Sequence, residues 1–109
     1  MKASLQQFEE ILERRPEDLQ TLVNAGVTWG RLGNAKQSEQ RLRRALRIAP
    51  NTALAHVNLA VTLRNQQKYD EAMKHLRRAL QLEPNNAQTR AALTATIRSR
   101  DEARRATKN

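Results

Sequence analysis

The sequence predicts an all-α solenoid of antiparallel helix pairs: about six helices, forming two full repeats flanked by half-repeats. Three observations carry that expectation. The run Leu42-Arg43-Arg44-Ala45-Leu46, leading to Pro50-Asn51, returns 34 positions later as Leu76-Arg77-Arg78-Ala79-Leu80 leading to Pro84-Asn85. Residues 19–52 laid over 53–86 without a gap are identical at 11 of 34 places, including Val23/Val57, Asn24/Asn58, Val27/Val61 and Thr28/Thr62. Pro16 lies on the same period, so all 3 prolines of the chain are in phase. A period of this size marks stacked helical units. Composition agrees, since the chain is rich in Ala, Leu, Arg and Gln, which favour helix.

The elements follow in order. Residues 2–14 read as a helix with Leu5, Phe8, Ile11 and Leu12 on one stripe at 3.6-residue spacing. Pro16 ends it, because the residue before a proline is pushed out of the α region. Asp18 and its counterparts Thr52 and Asn86 are helix-capping residue types, whose side-chain oxygen accepts from a free N–H of a first turn. A helix from Asp18 to about Leu32 packs Leu22, Ala25, Gly26 and Trp29. Gly33-Asn34 is a turn with glycine suited to the left-handed conformation. The next helix, about 35–48, buries Ser38, Leu42, Ala45 and Leu46. In the second copy, helix 53–66 uses Leu59, Ala60 and Leu63, and helix 70–82 uses Ala72, Leu76, Ala79 and Leu80, with a weaker turn at Gln67-Lys68. Small residues at Gly26/Ala60 and Ala45/Ala79 allow close helix approach. A last helix runs from 87 to about 100 with Leu93 and Ile97 inward, and 101–109 either prolongs it or frays. The 109 residues form one domain, divided as 1–18, 19–52, 53–86 and 87–109.

Composition excludes several classes. Without cysteine there is no disulfide framework, thiolate metal site or thiol nucleophile. No apolar run approaches the roughly 18 residues of a membrane span, and the N-terminus lacks the apolar core of a signal peptide. A cytoplasmic protein, or a piece of a larger one, is the expectation. His56 falls at a packing place and His75 on an outer face, with no pairing that suggests a metal. Gly26, Gly30 and Gly33 lack the Gly-Lys-Ser/Thr of a phosphate loop. No catalysis, cofactor or metal is expected. The net charge of +9 favours acidic partners. It is uneven, at −2 over 1–18, +5 over 19–52, +2 over 53–86 and +4 over 87–109.

The 34-residue pattern resembles the tetratricopeptide repeat (TPR) family, whose units carry a large residue, then Leu-Gly, an aromatic, and later Ala, Phe, Ala and Pro. Leu22, Ala25-Gly26, Trp29, Ser38, Leu42, Ala45 and Pro50 hold those places in one copy. His56, Leu59-Ala60, Leu63, Ala72, Leu76, Ala79 and Pro84 hold them in the next. His56 departs from the large first residue, and Leu42 and Leu76 stand where Phe is usual. The resemblance implies a protein–protein interaction module that holds an extended peptide in a concave groove lined by first helices. The implied groove residues are Val23, Asn24, Val27, Arg31, Val57, Asn58, Val61, Arg64 and Arg98. An asparagine amide at such a place offers one acceptor and two donors to a peptide unit, and the valines form an apolar floor. Gln20, Leu54 and Gln88 stand near the places where chaperone-tail receptors carry lysines, which argues against that subgroup.

A second surface is the basic ladder Arg43-Arg44 and Arg77-Arg78, extended by Arg41, Arg47 and Lys74, on the second helices and hence the convex side. It reads either as a solvated face or as a contact for an acidic protein or nucleic-acid backbone. Nucleic acid is disfavoured, because Phe8, Trp29 and Tyr69 are the only aromatics and give no stacking platform. A rival reading is a self-assembling scaffold, a homo-oligomer in which the terminal helices of different copies dock head to tail.

Overall fold

A computed structural model describes residues 2–108, and the side chains of residues 4–107. Among the described residues six helices follow in chain order: α1 Lys2–Arg14, α2 Leu19–Arg31, α3 Ala35–Ile48, α4 Ala53–Asn65, α5 Tyr69–Leu82 and α6 Ala87–Lys108. The architecture is an all-α TPR-type solenoid. Loops of three or four residues force neighbouring helices to run antiparallel, and each helix packs chiefly on the next, with α2 also reaching α4. The result is elongated, 50 × 30 × 20 Å, as expected when each unit touches only its neighbours.

The repeat period is legible in the loops. Asp18 Oδ1 accepts from the Thr21 N–H at 3.2 Å, and Asn86 Oδ1 accepts from the Thr89 N–H at 3.1 Å. Thr52 holds the equivalent position, but its hydroxyl turns back and donates to the Ala49 carbonyl at 2.9 Å. The turns after α2 and α4 are the same motif. Gly33 N–H bonds the Gly30 carbonyl and Asn34 N–H the Trp29 carbonyl; Gln67 N–H bonds Arg64 and Lys68 N–H bonds Leu63. This Schellman arrangement needs a left-handed residue one place past the helix. Gly33 supplies it at φ +84°, and Gln67 takes it at φ +63° without being glycine.

The core runs along the stack as Leu22, Leu42, Leu59, Leu63 and Leu76, all essentially inaccessible, with Ala25, Ala45, Ala55, Ala60, Ala72 and Ala79 between them. Gly26 fits under Leu42 so tightly that a Cβ there would lie 2.6 Å from Leu42 Cγ. Gly30 also has a packing reason: a Cβ would stand 3.3 Å from Ser38 Oγ. That hydroxyl forms a buried 2.9 Å bond with Thr62 Oγ1, tying α3 to α4. On α1, Leu5 and Leu12 are buried, Phe8 is half-buried and Ile11 is 39% exposed. The acidic Glu9 anchors α1, accepting from Trp29 Nε1 at 3.0 Å and from Arg41 at 2.9 Å.

The last helix continues through residues 101–108, so the prolonged alternative is the one adopted. Of the residues expected inward, Leu93 packs against the core and Ile97 is half-buried, and Thr89 and Thr96 are buried beside them. Thr96 tolerates this because its hydroxyl donates to the Ala92 carbonyl at 2.8 Å. Arg100 and Arg104 each approach Asp70 at 3.8 Å, fastening the extension to the start of α5.

Candidate functional site

The repeated Val-Asn-x-x-Val-Thr segments of α2 and α4 lie side by side and shape one furrow. A cleft of about 510 Å³ is lined by Ser4 and Phe8 from α1, by Val23, Asn24, Val27, Thr28 and Arg31 from α2, and by Leu54 and Asn58 from α4. A second hollow of about 310 Å³ shares Val27, Arg31 and Asn58 and adds Val61, Thr62 and Asn65. The shared residues make the two continuous. Each threonine of the segment bonds its own helix, Thr28 to the Asn24 carbonyl at 2.9 Å and Thr62 to the Asn58 carbonyl at 3.1 Å. The Asn24 and Asn58 amides have no hydrogen-bond partner among the described residues and face the furrow.

Six of the nine expected groove residues therefore converge: Val23, Asn24, Val27, Arg31, Asn58 and Val61. Val57 packs partly against the core. Neither Val57 nor Arg64 lines the furrow. Arg98 lines a separate hollow along α6 with Ala87, Arg90, Ala91, Thr94 and Ala95. Phe8, which closes one end of the furrow, was legible in the sequence only as a core residue of the first helix.

The arginine ladder is less uniform than its sequence. Arg43 is gripped by two carboxylates, with Nε donating to Glu39 at 3.0 Å and Nη2 to Glu71. Burial disfavours its charge, but the bonds to Glu71 and Glu39 outweigh that and raise its pKa. Burial likewise pushes the Glu39 carboxyl up, but hydrogen bonds from Gln66 and Arg43, with Lys68 nearby, hold it below the usual carboxylate range. Arg41 pairs with Glu9, and Arg78 donates to Asn51 at 2.7 Å and to Gln81 at 3.0 Å. Arg44 and Arg77 carry no ion pair among the described residues. So the ladder divides into charges that hold the stack together and charges left to solvent.

The two histidines, expected at a packing place and on an outer face, meet in the structure, with His56 buried and His75 half-buried. His56 Nδ1 and His75 Nδ1 are 3.0 Å apart, and His56 Nε2 lies 2.8 Å from the Pro50 carbonyl. That carbonyl can only accept, so a neutral His56 carries its proton on Nε2 and His75 donates Nδ1–H to it. His75 is held below its ordinary pKa by burial, then by His56 and Arg43, with Glu71 opposing. No group of three or more metal-ligating side chains occurs among the described residues. No helix there is long and apolar enough to cross a membrane.

Stacked helix pairs with a furrow along their first helices define a helical-repeat interaction module. The tetratricopeptide repeat family model matches residues 53–86, and solved TPR domains share the fold over most of the chain. The match over residues 53–86 and these shared folds support a tetratricopeptide repeat protein. MamA superposes with a TM-score of 0.81 at 20% identity, covering 91% of this chain and 60% of that one. The Thermobaculum terrenum O-GlcNAc transferase gives 0.83 at 26%, covering 87% of this chain and 18% of that one. The first TPR domain of Spaghetti (RPAP3), bound to an HSP90 peptide, gives 0.84 at 21%, covering 87% and 75%. No curated protein matches the chain in sequence.

Proposed function

We propose that the furrow between α2 and α4 holds an extended peptide of acidic and apolar character, without catalysis. The observation that carries this reading is the pair of unpartnered amides, Asn24 and Asn58, lining one continuous furrow. Each amide can bond both groups of a peptide unit. The valines and Phe8 supply an apolar wall, and Arg31 supplies a cation beside it. The RPAP3 domain, with the same fold, is bound to a peptide of HSP90, which supports peptide capture as a use of this shape. The lysines of chaperone-tail receptors have no equivalents at Gln20, Leu54 and Gln88, so the partner of this chain is of another kind. TPR modules are protein–protein interaction modules, and the neighbouring charge favours an acidic segment.

The test is a peptide screen at low and moderate salt, run on three proteins. These are the wild type, Asn24→Ala with Asn58→Ala, and a variant with Arg44 and Arg77, the ladder arginines that hold no ion pair among the described residues, changed to Gln. Loss of about tenfold in affinity on removing both amides, with the arginine variant unaffected, is the expected result. Hits that survive the asparagine changes and vanish with the arginines would move the working surface to the other face.

A further inference from the structure

A second hollow lies between α3, α4 and α5 and shares no lining residue with the furrow. It encloses about 290 Å³, the small end of ligand-binding cavities, which run from about 300 to 1,000 Å³. Leu46, Leu59 and Pro50 give it an apolar floor; Arg43, Arg47, His56 and His75 give it a polar side. No carboxylate lines it. Glu39 and Glu71 bond Arg43 through Nε and Nη2, which leaves Nη1 without a partner among the described residues. Arg47 is exposed and has no ion pair there.

The repeat isolates what is special here. His56 stands where the preceding copy has Leu22, which is wholly buried. The bond from His56 to the Pro50 carbonyl is not what demands histidine. One repeat later Arg90 makes the same bond to the Pro84 carbonyl at 2.9 Å. Arg43, Leu46 and Pro50 recur one repeat later as Arg77, Leu80 and Pro84, but Arg47 and His75 correspond to Gln81 and Arg41. Basic or neutral polar groups have thus collected around one apolar recess in one repeat only.

We propose that this recess binds a small apolar carboxylate, an aromatic or branched organic acid, with its body on Leu46, Leu59 and Pro50. Its carboxylate lies against Arg47 and the unpartnered Nη1 of Arg43. A planar carboxylate suits guanidinium donors, and charge-assisted bonds of this kind are about twice as strong as neutral ones. The site is independent of peptide capture in the furrow.

The chain has only 2 histidines, and both line the recess, so their Cε1–H proton resonances report occupancy directly. The probe is 4-phenylbutyrate, titrated into the full chain at constant pH beside its uncharged amide. Both histidine resonances should shift and saturate with a Kd of about 1 mM, typical of so few ligand atoms. The amide should bind about tenfold more weakly, and Arg47→Gln should weaken the acid about threefold. Arg47 is exposed, so that variant keeps the fold, and Asn24→Ala/Asn58→Ala should bind the acid as the wild type does. A third arm is acetyl-Gly-Gly-Leu with a free carboxylate. If it binds while the free acid does not, the recess is a peptide-terminus site and the small-molecule assignment is wrong. Unmoved histidine resonances at about tenfold above that Kd, equal binding of the amide, or indifference to Arg47→Gln would each overturn the proposal.

Discussion

Replacing Gln67 by glycine should stabilise the protein, although it removes a side chain. Gln67 closes the turn after α4 at φ +63°, in the place that Gly33 fills at φ +84° one repeat earlier. A side chain with a Cβ in the left-handed region costs about 1–2 kcal/mol. Glycine has more freedom in the unfolded chain, which offsets about 0.5–1 kcal/mol of the relief. The net gain is about 0.5–1 kcal/mol, a rise in Tm of about 2–5 °C for a domain of this size. Both hydrogen bonds of the motif are backbone bonds, so the substitution leaves them intact. Gly33→Gln should cost at least as much as Gln67→Gly gains, and the cost would be strain alone, because no atom lies within 4 Å of a Cβ built there. The assay is urea denaturation of wild type, Gln67→Gly, Gln67→Ala and Gly33→Gln. Alanine keeps the Cβ and should bring almost none of the gain. If alanine stabilises as much as glycine, the side chain and not the backbone is responsible, and the reasoning fails.

Gly26→Ala should destabilise by about 1–3 kcal/mol through overpacking, because the new Cβ would meet the branch point of the buried Leu42; denaturation midpoints check it. Glu9→Ala should cost about 1 kcal/mol and shift the emission of Trp29, the only tryptophan, by removing the acceptor of its indole N–H. Stability should fall with acid in two stages. The pKa of His75 is lowered on folding, so the unfolded chain binds the extra proton first and stability is lost as pH drops below the ordinary 6.5. The charged groups facing it are Arg43 from α3, His56 from α4, and Glu71 and Lys74 on its own helix. Glu39 is also lowered, so its contribution is present above 4.5 and is lost as pH falls through its folded value. Denaturation from about pH 7.5 down to about 2.5 should show both stages, and His75→Asn should remove only the first.

Helix existence, turn positions and most packing residues were legible because the chain states them twice. Pro50 and Pro84, the capping residues and the 42–46 and 76–80 runs each fix the same feature at two places. Legibility fails where the two copies diverge. Thr52 has the composition of a cap, but a hydroxyl on a short β-branched stem reached the Ala49 carbonyl instead of the next helix. On α6 Leu93 packs inward as expected, but the buried Thr89 and Thr96 were not legible, because threonine reads as polar and, at Thr96, a bond to the preceding turn lets it be buried. Tertiary pairings were beyond periodicity altogether. Glu9 with Trp29 and Arg41, or His56 with His75, join residues 19 to 32 positions apart on different helices.

That contrast also separates the two faces of the molecule. The furrow is built from residues the repeats share: Val23 and Asn24 of one copy, Asn58 and Val61 of the next, so its chemistry extends along the stack as the repeat does. A ligand in extended conformation meets the same amide at each step, and length of contact is what such a surface recognises. The α3–α4–α5 recess keeps the repeated Arg43, Leu46 and Pro50 but is set apart by residues that are not repeated: His56 for leucine, Arg47 for glutamine, His75 for arginine. A single hollow with an unrepeated polar side recognises one compact group, and lengthening the stack would not enlarge it. Arg47→Gln should therefore weaken carboxylate binding at the recess about threefold while leaving peptide capture in the furrow intact. Parallel titrations with phenylbutyrate and with a peptide hit read the two effects separately. Coupled loss of both would mean that the two faces are one site.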